Sequence, residues 1–132
     1  MFTQIDRDLL LWPVLAHLAL IVFLYAWLSL VRKQERDGKP VADLEARISA
    51  NLSNQFEAPV LFYAIFVLVW TEALVNLAYL SLAWIFVAGR VWHLLVATLS
   101  TNIIRRGLIF TINWLAIFGM WAVFAWQTLI VT

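Results

Sequence analysis

Four polar residues at helical spacing stand just before the chain turns almost wholly apolar: Arg47, Asn51, Asn54 and Glu57. Three or four residues apart, they share one face of a helix. A second group follows, Arg90 and His93 three apart, and then Arg105 and Arg106. Such residues can do two kinds of work. They can tie helices together, an arginine and a carboxylate each offsetting the other's desolvation, and asparagine and histidine bridging neighbours. They can also hold an anion. Arg47, Arg90, Arg105 and Arg106 converge near one carboxylate, Glu57, and the surplus positive charge in a partly dry place calls for a negative ligand. A lipid phosphate would meet it, and so would a small anionic molecule bound from the cytoplasm.

The elements that must position these groups are set by composition. Of 132 residues, 64% are hydrophobic and only 13% charged, and the mean hydropathy is +0.89. Soluble domains are nearer half apolar and a quarter charged, so the chain reads as an integral membrane protein. Nucleic acid is not an expected partner, because no basic tract is present to follow a phosphate backbone. Cysteine is absent, which excludes disulfides, thiolate nucleophiles and cysteine metal sites. His17 and His93 are far apart in sequence, so no metal site is expected.

Four spans are expected at about 9–31, 44–74, 77–99 and 107–130, in one domain covering 1–132. About 20 apolar residues cross a bilayer core. The first span is not expected to be a cleavable signal: Phe2 to Asp8 is mixed in charge, and the apolar run that follows is too long for a signal core. Pro13 fits its first turn. Asp37-Gly38 and Pro40 mark the first loop, and Asp43 is the expected N-cap of the second helix. The uncharged stretch between Glu57 and Glu72 is too short to cross alone, so the second span must carry the polar stripe toward the membrane, with Pro59 kinking it from inside. Glu72 to Asn76 is the expected second turn.

Depth follows from this order. If spans two and three form an antiparallel hairpin turning at 73–74, Glu57 lies level with Arg90 and Asn54 with His93. Both levels are roughly 25 Å from the turn at 1.5 Å per residue. Arg106 opens the fourth span near that level. Orientation follows from the basic residues: Arg32, Lys33, Arg36, Lys39 and Arg47 gather around the first loop, and Arg105 and Arg106 around the third. Loops one and three are therefore expected in the cytoplasm and both termini opposite. Tryptophans are expected at the interfaces or facing lipid, and Glu72 at the far interface. His17, alone in the first span, is expected to hydrogen-bond between helices.

Together these residues resemble the MAPEG family, membrane-associated proteins in eicosanoid and glutathione metabolism. The resemblance is carried by Asn54-x-x-Glu57 with Phe62 five residues on, by Arg90-x-x-His93, and by Arg106 sixteen residues after Arg90. Four spans, a basic first loop and a short second turn agree with it over nearly the whole chain. The run Asn54-Gln-Phe-Glu57-x-Pro59-Val-Leu-Phe62-Tyr63 is similar to bacterial members, which implies an inner-membrane location. Ala97 stands where many eukaryotic members carry a tyrosine, and Asn102 where some carry a basic residue.

The resemblance implies an all-α integral membrane four-helix bundle assembled as a homotrimer, with glutathione bound between neighbouring subunits near the cytoplasmic face. It implies that Asn54 and Glu57 hold the glutathione backbone, Glu57 receiving its amino group, with Arg47 or Asn51 assisting. Arg90 and His93 would contact the peptide and a carboxylate. Arg106, or Arg105 beside it, would stabilise the thiolate. The implied activity is a glutathione-dependent transferase or peroxidase acting on lipophilic electrophiles or hydroperoxides delivered from the bilayer. Some members bind lipid and catalyse nothing, which leaves open a non-catalytic protein holding lipid or a partner in the same groove.

Overall fold

The computed structural model describes the backbone of residues 3–99 and 103–131, and the side chains of 3–96, 108 and 111–130. Its elements follow from where the chain can and cannot continue a helix. A short 3-10 turn, Arg7–Leu10, leads into α1, Leu11–Arg36, and the Asp6 carboxylate caps this start by accepting from the Asp8 N–H (3.0 Å). Gly38 ends the run. Its φ of +86° is a left-handed conformation that glycine adopts without Cβ strain. It lets the Lys39 N–H reach back to the Gln34 carbonyl (3.0 Å).

The second span is two helices, α2, Ala42–Asn54, and α3, Ala58–Thr71. The expected N-cap is displaced: Val41 occupies the cap without a side-chain hydrogen bond. The helix begins right after Pro40, so Asp43 falls within the first turn. There its carboxylate pairs with Arg47 one turn on (2.8 Å), and a negative charge also suits the helix N-terminus. The expected kink at Pro59 is a break instead. A proline at 59 offers no N–H to the Gln55 carbonyl and its ring crowds that oxygen, while the residue before it is disfavoured in helical geometry. The chain tightens to three-residue bonds, Gln55 N–H to Leu52 O (3.0 Å) and Phe56 N–H to Ser53 O (3.0 Å). It then restarts with Pro59 in the first turn of α3.

The turn after α3 is closed by a bond from the Leu74 N–H to the Val69 carbonyl (2.9 Å), with Ala73 at a φ of +52°. The Asn76 side chain then caps α4, Leu77–Leu99, accepting from the Ala78 N–H (2.9 Å). Helix α5, Ile103–Ala125, follows and ends in a π turn, Trp126–Val131. Helices α4 and α5 approach closely at Gly89, where a Cβ would collide with the Asn113 amide.

Among the described residues, four helical runs are long and apolar enough to cross a membrane: Arg7–Arg36, Ala42–Thr71, Leu77–Val96 and Thr111–Ile130. No strand is present among them; Gln4 and Asn76 make one isolated bridge. The Ile5 N–H donates to the Val75 carbonyl (3.1 Å), and Arg7 lies 4.4 Å over the Trp70 ring. The Tyr79 hydroxyl donates to Gln127. These contacts bring the N-terminal segment, the α3–α4 turn and the C-terminal turn to one end of the bundle. The fold is an all-α integral membrane four-helix bundle.

The interior has two apolar clusters. One, toward that end, contains Leu10, Val14, Phe62, Ile65, Tyr79, Phe86 and Met120. The other, toward the first loop, contains Leu20, Leu24, Leu28, Ile48, Leu52 and Leu94. Three buried polar residues lie where one cluster gives way to the next. On α1, His17 falls between Val14 and Leu20; at the α2–α3 break, Gln55 falls between Leu52 and Ala58; on α4, Arg90 falls between Val87 and Leu94.

Candidate functional site

The site grows from the break in the second span. In an unbroken helix the face through Asn51 would continue through Asn54 and Glu57. The break changes the phase. Asn51 and Gln55 turn inward and are almost fully buried, Asn54 is half-buried at the end of α2, and Glu57 is exposed. The Gln55 amide donates to the Asn51 side-chain oxygen (3.0 Å) and to the Asn51 carbonyl (3.2 Å).

Arg90 meets this break from α4. Its side chain is 0% exposed, and its Nε donates to Gln55 Oε1 (3.2 Å). The same oxygen receives His17 Nε2 (2.9 Å), and His17 Nδ1 lies 2.6 Å from the Tyr63 hydroxyl. Proton positions follow from what each group can do. A guanidinium only donates, so the Gln55 carbonyl oxygen must face it. That oxygen only accepts, so His17 carries its proton on Nε2. In the neutral ring Nδ1 then accepts from Tyr63. Below the layer, Phe62 stacks on Phe86 with ring centres 4.4 Å apart, and Phe86 lies 5.6 Å from the His17 ring.

The terminal nitrogens of Arg90, Nη1 and Nη2, are buried and have no hydrogen-bond partner among the described residues. Nor does any ion pair within 4.0 Å join Arg90 to Glu57. The two expected at one level are thus not in contact: the break turns the Glu57 carboxylate outward and delivers a neutral amide to the arginine. A buried guanidinium without a counter-charge in contact is costly. Its two terminal N–H groups form a fork that matches a carboxylate or phosphate.

The other expected residues are placed as follows. His93 is buried one turn beyond Arg90 on the same face. Arg47 is half-buried near the first loop beside Asp43. Arg105 and Arg106 belong by backbone to the first turn of α5, and their side chains lie outside the described residues, as does that of Ala97. An open groove of about 640 Å³ at the first-loop end is lined by Ser29, Arg32, Glu35, Arg36 and Glu45. It holds none of the expected residues, and the Arg32–Glu45 pair (3.0 Å) spans it.

Gln55 and Tyr63 are the residues that the sequence pattern missed. Gln55 stands four residues after Asn51, the signal of a shared face, but the stripe through Asn54 and Glu57 concealed it. His17 bridges helices as expected, through hydrogen bonds to Tyr63 and Gln55. A further buried amide, Asn113 on α5, has neither of its polar atoms hydrogen-bonded among the described residues.

Among known proteins, the sequence model of the MAPEG family matches residues 9–126. No curated protein and no solved structure matches the chain. A match over nearly the full length, on a chain that folds as a four-helix membrane bundle with a buried polar layer, settles the family: this protein belongs to the MAPEG family.

Proposed function

We propose that the protein is a membrane-bound glutathione-dependent transferase or peroxidase that acts on lipophilic electrophiles or hydroperoxides from the bilayer. The observation that carries this is Arg90: a fully buried guanidinium whose terminal nitrogens have no partner among the described residues. Its fork suits a peptide carboxylate. Glu57 exposed on the outside of a single bundle supports a site completed by a neighbouring subunit in a homotrimer, where the carboxylate can meet the amino group of glutathione. Asn54, at the end of α2, would hold the peptide backbone, with Arg47 or Asn51 assisting and His93 beside Arg90. The basic residues around loops one and three support a cytoplasmic mouth, with both termini opposite, in a bacterial inner membrane.

The chemistry would be attack by the glutathione thiolate. A free thiol titrates near about 8.5. A charge-assisted hydrogen bond from Arg106, or from Arg105, contributes on the order of 1.5–3 kcal/mol. At about 1.4 kcal/mol per unit this lowers the thiol by roughly one to two units, which makes thiolate plentiful at neutral pH. Loss of the thiolate absorbance of bound glutathione in Arg106→Ala is the expected result.

A second reading is supported by the same nitrogens, which suit a lipid phosphate equally well, and by Ala97 in place of a tyrosine. In that reading the groove holds lipid or a partner and no turnover occurs. The melting temperature of detergent-solubilised protein with and without millimolar glutathione separates the two. A ligand at 100 times its Kd stabilises the native state by about 2.7 kcal/mol. An upward shift, with turnover of a generic aryl halide, supports the enzyme; no shift leaves only the second reading and a purely structural tie.

A further inference from the structure

We infer that His17, Gln55 and Tyr63 are positioning residues, a clamp that holds the Arg90 guanidinium by its Nε edge and aims its two terminal nitrogens at the ligand. The inference rests on the glutathione reading only for the identity of that ligand. The clamp is directional. Gln55 Oε1 takes two donors, Arg90 Nε (3.2 Å) and His17 Nε2 (2.9 Å). Gln55 Nε2 is committed to Asn51 on its other side. Turning the amide over would set an NH2 group against two N–H donors, so its orientation is locked from both ends. His17 is locked in turn by the Tyr63 hydroxyl (2.6 Å) and by the rings of Phe62 and Phe86 around it. Because the guanidinium is planar, holding Nε within a packed layer also fixes where Nη1 and Nη2 point.

The layer spans α1, the α2–α3 break and α4, and apolar clusters lie to either side of it. A purely structural tie would have satisfied the arginine's charged end. Here His17, Gln55 and Tyr63 satisfy one another and the Nε edge, and the arginine's terminal nitrogens remain unsatisfied among the described residues. His17 lies about five turns of helix before the first loop and outside the residues expected to touch glutathione, so its effect on binding must pass through Gln55 and Arg90.

The test compares His17→Leu, which removes the donor, with His17→Gln, whose amide can still donate to Gln55. Two readouts are taken on the solubilised full chain. One is glutathione affinity from melting-temperature titration. The other is hydrogen exchange of the Arg90 Nε–H in ligand-free protein labelled with 15N-arginine, assigned with Arg90→Lys. His17→Leu is expected to bind glutathione about tenfold more weakly and to exchange the Nε–H about tenfold faster, whereas His17→Gln stays near wild type on both. Unchanged exchange in His17→Leu overturns the clamp whatever glutathione does. Faster exchange with unchanged affinity, in a wild type that binds, overturns it as a positioning device. If wild type shows no glutathione shift, the glutathione reading falls, and exchange alone then decides for or against the clamp. Should His17→Leu not fold, Tyr63→Phe, which removes a single hydroxyl, carries the same comparison.

Discussion

The two halves of the bundle interior are built differently. The half toward the termini is rich in aromatic residues and draws on α1, α3, α4 and α5, with Phe62 stacked on Phe86 and Tyr79 and Met120 beside them. It is also strapped from outside: Ile5 pairs with Val75, Arg7 covers Trp70, and Tyr79 reaches Gln127. The half toward the first loop is aliphatic, Leu and Ile with one Val, and draws on α1, α2 and α4. The exposed ion pairs Arg32–Glu45 and Asp43–Arg47 lie at its mouth, and such pairs contribute little. The first half is the scaffold. The polar layer lies at the border with the second half, where a break in the second span admits a buried arginine. A membrane bundle can thus keep one end tightly packed and place its costly groups where packing changes character.

If that division is right, the largest single loss lies in the aromatic half. Phe86→Ala removes the ring that stacks on Phe62 and borders His17, with an expected cost of about 3–5 kcal/mol. Leu24→Ala in the other half is expected nearer the low end of about 2–5 kcal/mol. Equal losses in denaturant unfolding of the solubilised protein would erase the comparison.

Arg90→Met should move the other way. Replacing a buried charge that has no carboxylate within ion-pair distance with an apolar side chain is expected to stabilise ligand-free protein by about 1–4 kcal/mol. It should also abolish any glutathione-dependent rise in melting temperature. A destabilised Arg90→Met would show that the layer is a structural tie.

Gly89→Ala places a Cβ against the Asn113 amide and should cost about 1–3 kcal/mol by forcing α4 from α5; an unchanged melting temperature would show that the contact relaxes freely. The smallest effect contrasts the two turns. Gly38 and Ala73 both have positive φ, but only Gly38 is free of Cβ strain there. Ala73→Gly is expected to stabilise by about 1 kcal/mol or less, whereas Gly38→Ala should destabilise by a similar amount. The same sign for both would remove the distinction.

Much of the fold is legible in the order of residues. Runs of apolar residues of bilayer length and the turn signals Asp37-Gly38 and Glu72 to Asn76 define a four-helix bundle. Hydrocarbon leaves the backbone only a helix or a closed barrel to satisfy it, and continuous apolar runs of about 20 residues suit the helix. The burial of some candidate residues was legible too: Asn51, Arg90 and His93 lie inside the bundle, because polar residues within a span are costly against lipid. What was not legible is which partner each would take. An unbroken second helix would set Glu57 level with and facing Arg90; the break brings Gln55 to it instead.

Composition and order therefore determine that this chain has four apolar runs long enough to cross a membrane, since this depends on length and hydropathy alone. The tertiary structure decides the rest. A tightened turn at Gln55–Glu57, imposed by Pro59, rotates the stripe, sends Glu57 outward and brings Gln55 to Arg90 and His17. Helix phase after such a break depends on local backbone geometry, which residue spacing does not encode. Which amide meets which guanidinium follows from that phase.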